Sequence, residues 1–334
     1  MVSEKKSEMT KRIEARRATR RAIVGGVCQD AFFQCESLQR LDKQKASIRY
    51  RGAGGGACNH AKSLSRFGID AEIWLLGQIG SDGSGTQITK ELNAYPGIAM
   101  VLPPLVATST SESIILCDES PTGHEMILSS DGARTRAMPM DDVESYIESA
   151  TELVIHAHRS NSEVRRMVRL AKDNSIPVFV VPGRNQIQLP REQLEWMFEA
   201  GIEAIVCNVS EAAVMTRTEA IRDQVELLHK TCSATSVVVT NGSQGMFGTD
   251  GYEFYHVPAY HDVRRRVVNT TGAGDVATAA IVESLSRQSP LPVAMLAGVR
   301  AGYEACTEYG VHPGNLCTWE TLDSFVASHQ WSVK

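Results

Sequence analysis

Short apolar runs alternate with segments of helical period along most of the chain, and this alternation constrains the fold more than any other feature. The clearest runs are residues 22–27, 73–76, 153–155, 178–181, 204–207 and 237–240. The segments between them, such as 163–173 and 219–232, carry apolar residues at helical spacing. Short strands without a polar face are typical of a parallel sheet that helices cover on both faces. We therefore predict an α/β fold with a central, mostly parallel β-sheet.

Two segments break this alternation. Residues 31–52 and 108–129 carry strand and turn patterns with no helical partner. In the second segment, residues 113–117 and 125–128 flank a Pro-Thr-Gly turn, which predicts a β-hairpin. We predict that the two segments form a small β-sheet, a lid that stands beside the main sheet. Such a lid would keep water away from a reacting group.

The first 21 residues form the one basic segment of the chain. They hold eight lysines and arginines against three glutamates. They contain no apolar stretch of the kind that a secretory signal requires. We therefore interpret residues 1–21 as a helical or disordered extension, and residues 22–330 as one folded domain that includes the lid segments.

Charge, hydropathy and cysteine content narrow the class of protein. The formal net charge of −5 argues against a nucleic-acid-binding surface over the whole chain. No run approaches the roughly 18 apolar residues that a membrane span needs. The eight cysteines are scattered and include no CxxC pair, which favours reduced thiols in a cytoplasmic protein.

His156-Ala157-His158 follows an apolar run, so we interpret it as a strand end and not as a metal site.

The segment 268–277 carries the clearest chemical signal. Gly272, Ala273 and Gly274 precede a run of small residues that reads as a helix. Small residues let backbone N–H groups converge on an anion at a helix N-terminus. Asp275 would lie beside that anion hole, as a base that accepts a hydroxyl proton during phosphoryl transfer. The alternative is an ordinary glycine-rich turn before a helix with an acidic first turn.

Together with this segment, four other motifs resemble those of the ribokinase-like (pfkB) carbohydrate kinase family. The sequence GGGACNHA at residues 54–61 resembles the family's GG-x-x-x-N-x-A helix start. Residues 80–85, 208–211 and 240–245 resemble its G-x-D-x-x-G, N-x-x-E and T-x-G-x-x-G motifs. The resemblance extends from about residue 22 to about residue 328. A dinucleotide-binding fingerprint is the competing interpretation, but no GxGxxG follows the first strand.

The resemblance implies an ATP- and Mg²⁺-dependent carbohydrate kinase with Asp275 as catalytic base and an anion hole formed by Gly272, Ala273 and Gly274. It implies acceptor contacts from Asp30, Gly55, Gly56 and Asn59, and nucleotide contacts from Asn208, Thr240, Gly242 and Gly245. Glu211 would organise Mg²⁺ through water, since Mg²⁺ usually keeps several waters. The alternatives are structural: a turn or cap at Asp30, tight turns at the glycines, and a capping box between Asn208 and Glu211.

The chain also departs from the family pattern. Asn269 stands where the family usually has an Asp that helps to hold a monovalent cation, so activation by potassium is in doubt. Val181 and the pair Val276-Ala277 also replace the usual residues near the active face. These changes keep open a non-catalytic, ligand-binding role on the same fold.

The acceptor is the least determined part of the prediction. The family's phosphosugar kinases often place Lys in the glycine-rich motif, whereas the first Lys here is Lys62. We therefore expect an unphosphorylated sugar or sugar-like acceptor, although Arg134, Arg136, Arg159 or Arg184 could contact a phosphate. A nucleoside is the second choice, with Phe32, Phe33 and Tyr50 available for stacking. Lid segments of this family often pair between subunits, so a homodimer is a further expectation.

Overall fold

The computed structural model describes residues 19–39, 45–118, 125–157, 160–311 and 317–329, with the side chains of 184 and 185 left out. Its strands are β1 (Thr19–Val24), β2 (Cys28–Cys35), β3 (Ala46–Gly54), β4 (Ala71–Leu76), β5 (Ile98–Met100), β6 (Glu112–Asp118), β7 (Glu125–Ser129), β8 (Glu152–Ala157), β9 (Val178–Pro182), β10 (Ile202–Asn208), β11 (Ala234–Thr240), β12 (Met246–Thr249) and β13 (Phe254–Val257).

The helices lie mostly between these strands. They are α1 (Gly56–Arg66), α2 (Gly83–Leu92), α3 (Met140–Ser149), α4 (Asn161–Asp173), α5 (Arg184–Ile187), α6 (Arg191–Met197), α7 (Val209–Thr216), α8 (Ile221–Thr231), α9 (Ala273–Ser286), α10 (Leu291–Ala305) and α11 (Trp319–Ser328). None of the described helices is long and apolar enough to cross a membrane.

The main sheet has nine strands in the order β13-β12-β11-β10-β9-β8-β1-β4-β5. Every pair from β11 to β5 is parallel, and the two pairs at the β13 edge are antiparallel. Helices cover both faces: Ile23 packs into one core cluster, while its neighbours Ala22 and Val24 pack into another. This two-sided burial explains why the strands lack a polar face, and the predicted mostly parallel α/β sheet is confirmed.

The first strand begins earlier than the sequence pattern predicted. β1 ends at Val24, not at residue 27, and it includes Arg20 and Arg21 from the segment interpreted as an extension. Arg21 is 3 % exposed and pairs with Glu152 and Glu283, so its charge is compensated inside the fold. Residues 1–18 of the predicted extension lie outside the described residues.

The smaller sheet, called the lid sheet below, has the strand order β3-β2-β6-β7. Its outer pairs are antiparallel, whereas β2 and β6 run parallel. The predicted hairpin is confirmed as β6 and β7, and its Pro-Thr-Gly turn lies outside the described residues. Strand β3 runs directly into α1, so the lid sheet is joined covalently to the glycine-rich helix start.

All eight cysteines are free thiols, as predicted; seven are buried and Cys306 is partly buried. Burial raises the pKa of several of these thiols, for example that of Cys58 and that of Cys232, each to about 12. These groups therefore remain protonated at neutral pH and act as small apolar side chains in the core.

Candidate active site

The segment around Gly272 forms a tight turn that starts helix α9. Gly272 caps this helix with φ 79°, a left-handed conformation that favours glycine, and a Cβ there would collide with Val311. Ala273 N–H donates to Thr270 O at 3.2 Å and Val276 N–H donates to Gly272 O at 3.1 Å. Helix geometry leaves the N–H groups of Gly274 and Asp275 without carbonyl partners in the helix. These groups can bind an anion, whereas the N–H of Ala273, which was also predicted for the anion hole, is engaged by Thr270 O.

Asp275 lies in the first turn of α9, where it is partly buried and faces the N-terminus of α1. Asn59 Nδ2 donates to Asp275 Oδ2 at 2.8 Å, which fixes the orientation of the carboxylate. Burial raises the pKa of Asp275, while the Asn59 hydrogen bond acts in the opposite direction. A carboxylate with a raised pKa is a better proton acceptor, which suits the predicted role as base.

Helix α1 brings its glycines close to Asp275. Gly55 has φ 93°, and a Cβ on it would lie 2.5 Å from Gly26 O. A Cβ on Gly56 would lie 2.8 Å from His156 Nδ1 and 3.5 Å from Asp275 Oδ1. Both glycines therefore permit a close approach of backbone segments at the base.

Asp30 lies on lid strand β2, where it is 6 % exposed. Cys28 Sγ donates to Asp30 Oδ1 at 3.2 Å. Burial raises the pKa of Asp30 to about 6, partly offset by Cys28 and Lys62, while Asp275 raises it further. Each carboxylate thus lies within the electrostatic reach of the other, and the structure brings together the predicted base and the predicted acceptor residues.

A pocket of about 640 Å³ adjoins the anion hole. The predicted nucleotide residues Asn208, Thr240, Gly242 and Gly245 all line it, together with Ala273 and Gly274. Part of its wall was missed from the sequence, namely Ala259, Tyr260, His261, Val267, Val299, Tyr303 and Cys306. These residues come from an irregular loop and from α10 with its C-terminal cap Cys306, and neither segment carries a motif.

The many Ala and Gly residues of α9 and α10 are a sequence feature from which this part of the pocket wall was predictable. Ala277, Gly298 and Gly302 all line the pocket, and a Cβ on Gly302 would lie 3.2 Å from Ala277 Cβ. The composition of α10 predicts close helix packing, and a Cβ on Gly298 would lie 2.7 Å from Ile281 Cγ1 of α9. A pocket with mostly apolar walls and a few polar groups is typical of a small-molecule site.

Asn208 and Glu211 form the capping box that was the alternative to a metal role. Asn208 Oδ1 accepts from Glu211 N–H, and Glu211 Oε2 accepts from Asn208 N–H, both at 2.9 Å. Burial raises the pKa of Glu211, and the charge of Asp275 raises it further. Among the described residues there is no group of three or more side chains able to hold a metal ion. The donor set fits Mg²⁺ only where phosphate oxygens and waters supply most of the ligands.

Asn269 is buried, and both ends of its amide make hydrogen bonds. Nδ2 donates to Glu308 O at 3.1 Å, and Oδ1 accepts from Thr271 N–H at 2.7 Å. The amide therefore presents a hydrogen-bond donor to the carbonyl of Glu308. The neutral amide brings no negative charge that would attract a monovalent cation.

Lys62 and two of the aromatic residues named for the acceptor are engaged in contacts within the fold. Lys62 is buried and donates to Ala53 O at 2.7 Å and to Glu91 Oε1 at 3.1 Å, so its ammonium group already has partners within the fold. Phe32 packs edge to face on Tyr50, with ring centroids 5.8 Å apart, inside the lid core.

The structure describes only some of the residues of the His156-Ala157-His158 motif and of the arginines named for a phosphate contact. His156 is a buried residue of β8 and contacts the ring of His60 at 3.1 Å. His158, Arg159 and the side chain of Arg184 lie outside the described residues. Of the arginines named for a phosphate contact, Arg134 is the one whose charge acts on Asp30, whose pKa it lowers.

Comparisons with known proteins agree with this architecture. The sequence model of the pfkB family carbohydrate kinases matches residues 19–316. A ribokinase from Bacillus subtilis is 22% identical over 293 residues, which cover 87% of this chain and 94% of that protein. The bifunctional protein HldE of Azorhizobium caulinodans is 26% identical over 289 residues, and the alignment covers 79% of this chain but 56% of that relative.

A solved structure gives the same fold. The structure of Arabidopsis thaliana ribokinase complexed with ribose and ATP superposes with a TM-score of 0.75 and 20% identity, and covers 93% of this chain and 100% of that one. At this identity the likeness concerns the fold, with its central sheet and separate small sheet.

Proposed function

Because the chain belongs to the pfkB family of carbohydrate kinases, which are phosphotransferases with an alcohol acceptor, we propose that it transfers the γ-phosphate of ATP to a hydroxyl group of a sugar or sugar-like acceptor. The observation that carries this proposal is the placement of Asp275 beside the free N–H groups of α9, within the electrostatic reach of Asp30. The pocket on the other side of the anion hole has the size and walls for the nucleotide.

In the proposed reaction, Asp275 accepts the proton of the acceptor hydroxyl as its oxygen attacks the γ-phosphorus in line with the leaving ADP. The N–H groups of Gly274 and Asp275, at the positive end of the α9 dipole, stabilise the negative charge on the transferring group. Asn59 keeps the carboxylate in place through its hydrogen bond. Glu211 and Asn208 would hold Mg²⁺ through water, and the ion would there neutralise charge on the phosphates.

For the acceptor we propose an unphosphorylated sugar. Asp30 is a buried carboxylate that can accept hydrogen bonds from two neighbouring hydroxyl groups. Lys62 is engaged elsewhere, which supports the expectation against a phosphorylated acceptor. A nucleoside remains the second choice, and the packing of Phe32 on Tyr50 does not favour it because those rings are used inside the lid.

The proposal is tested by ADP release with Mg·ATP and a panel of free sugars, sugar acids, sugar phosphates and nucleosides. Acceptor-dependent release with a free sugar is the expected result. Release with none of them, although ATP binds, would favour the non-catalytic role on the same fold.

We propose that the enzyme does not need a monovalent cation, since the amide of Asn269 already bridges Thr271 and Glu308. Turnover of the wild type should be equal in potassium, sodium and tetramethylammonium chloride at one ionic strength.

Asn269→Asp removes the amide donor and adds a negative charge, so this variant should gain a potassium-dependent turnover. Its melting temperature should also rise with potassium, because a ligand that binds only the folded state stabilises it. Potassium activation of the wild type would contradict the proposal.

We also propose a homodimer through the outer face of the lid sheet. This face carries the exposed side chains Ile48, Ile114, Met126 and Leu128, and the register of β6 and β7 places Ile114 beside Leu128. Contiguous exposed apolar residues of this kind are typical of an association surface. Light scattering at micromolar concentration tests the proposal, and a monomer would remove it.

A further inference from the structure

Glu125 joins the lid sheet to the loop in front of the anion hole. Its Oε1 accepts from Thr270 N–H at 2.6 Å and from Thr270 Oγ1 at 3.2 Å. Its Oε2 accepts from Thr271 Oγ1. One carboxylate on strand β7 thus takes three hydrogen bonds from two consecutive residues 145 and 146 positions further along the chain.

The carboxylate does not occupy the anion hole. It binds N–H and hydroxyl groups of Thr270 and Thr271, whereas the free N–H groups of the helix start belong to Gly274 and Asp275. Glu125 is also not among the residues that line the nucleotide pocket. Its contact with the loop therefore leaves the predicted phosphate and nucleotide sites open, and it does not act as a bound competitor of ATP.

The loop of residues 269–272, called the threonine loop below, is held by side chains as well as by the backbone bond from Asn269 N–H to Cys306 O at 3.3 Å. Asn269 Oδ1 takes the N–H of Thr271, and Glu125 takes the N–H of Thr270. Thr270 O accepts from Ala273 N–H, which closes the turn at Gly272. If the carboxylate of Glu125 moves away, the Thr270 N–H and the hydroxyls of Thr270 and Thr271 lose these hydrogen bonds. The turn that positions the first N–H groups of α9 then becomes more mobile.

The same sheet carries the proposed acceptor-binding residue. In the lid register Asp30 lies opposite Ser113, and Ser113 lies opposite Ser129 on β7. Glu125 is four residues before Ser129 on that strand, so strand alternation places it on the face of Asp30. A movement of the lid sheet would therefore move Asp30 and Glu125 together.

We propose that Glu125 is a positioning residue that couples the closed position of the lid to the conformation of the anion hole. Closure brings the acceptor held by Asp30 to Asp275, and in the same step Glu125 fixes the threonine loop. Each of the two states stabilises the other, because the three hydrogen bonds exist only when both are present. This inference rests on the proposed kinase function for its catalytic consequence, but the contact itself does not depend on that function.

The test compares Glu125→Ala and Glu125→Gln with the wild type. The control is Glu112→Ala, because Glu112 lies on the neighbouring strand β6 and its carboxylate accepts from Ser84 Oγ at 3.0 Å. Hydrogen exchange of a peptide that covers residues 268–276 reports the loop directly. A charge-assisted hydrogen bond is worth about a ten- to hundredfold change in an equilibrium, so exchange at Thr270 should become about ten- to hundredfold faster in Glu125→Ala, with a smaller change in Glu125→Gln and none in Glu112→Ala.

Steady-state kinetics provides the second readout. In Glu125→Ala the kcat for phosphoryl transfer should fall about ten- to hundredfold, the KM for ATP should change little, and hydrolysis of ATP should take a larger share of turnover. A loss of global stability alone would speed exchange throughout the chain and would not alter that share. Unchanged exchange at residues 268–276 overturns the inference, whatever the activity. If the wild type transfers phosphate to no acceptor, the proposed function fails, and the exchange result still decides on the contact.

Discussion

Asp275→Asn should lower turnover by about 10²- to 10⁴-fold, the range typical of the loss of a general base. The amide that replaces the carboxylate cannot take the proton of the acceptor hydroxyl. It can still accept the hydrogen bond from Asn59 Nδ2 through its carbonyl oxygen, so the start of α9 should keep its structure. ATP affinity should therefore remain close to that of the wild type, because the free N–H groups and the pocket walls are unchanged. The measurement is acceptor-dependent ADP release, with ATP binding followed by calorimetry.

The matched control is Asp142→Asn. Asp142 also lies in the first turn of a helix, α3, but on the surface and away from the pocket. Both substitutions remove one negative charge from a helix N-terminus, so an effect of the helix dipole would appear in both at about 0.3–1 kcal/mol. Near-normal turnover in Asp275→Asn would contradict the role of Asp275 as base. An equal loss of turnover in both variants would mean that Asp275 acts through the stability of its helix and not as a base.

The parts of the site that depend on local backbone geometry were predictable from the sequence. Gly55 and Gly272 both have left-handed φ angles that favour glycine. Each precedes a helix whose first turn must carry one particular polar side chain, Asn59 in α1 and Asp275 in α9. Requirements of this kind act over fewer than ten residues, so they leave a readable motif. The alternation of strands and helices is predictable for a similar reason, since burial on both faces of β8 or β11 demands an unbroken apolar run.

Contacts between distant segments left no such motif. Glu125 is an acidic residue on an exposed strand, and only the three-dimensional structure shows the hydrogen bonds that link it to the threonine loop. The start of β1 was missed because Arg21 looks like part of a solvated basic segment, whereas two buried carboxylates compensate its charge. Tyr260 and His261 were missed because their loop has no regular structure. In each case the role of the residue depends on segments that are distant in sequence, and the adjacent residues do not indicate it.

Asp30→Asn should have opposite effects on activity and on stability. Loss of a charged acceptor of two hydroxyl hydrogen bonds should lower kcat/KM by about 10²- to 10³-fold, mostly through the KM for the sugar. At neutral pH the same substitution should raise the free energy of unfolding. Burial raises the pKa of Asp30 to about 6, so the wild type buries an unfavourable charge above that pH. A carboxyl group with a raised pKa contributes stability that is fully present below its unfolded pKa of 3.8 and is lost as the pH rises through about 6.

The pH dependence gives this prediction its sharpest test. The shift from 3.8 to about 6 corresponds to roughly 3 kcal/mol, so the free energy of unfolding of Asp30→Asn relative to the wild type should rise by about that amount between pH 3 and pH 8. Urea unfolding of both proteins at these two pH values measures it.

Asp82→Asn is the control of opposite sign. Burial alone would raise the pKa of Asp82, but hydrogen bonds from Thr110 and Gly85 lower it, so this substitution should destabilise the protein at pH 8 and do so less near pH 3. Should Asp30→Asn instead destabilise the protein equally at both pH values, Asp30 would be a structural residue of the lid and not a charge held in place for the acceptor. A gain in stability together with a loss in kcat/KM is the result expected of a binding residue, since groups that serve function are retained at a cost in stability.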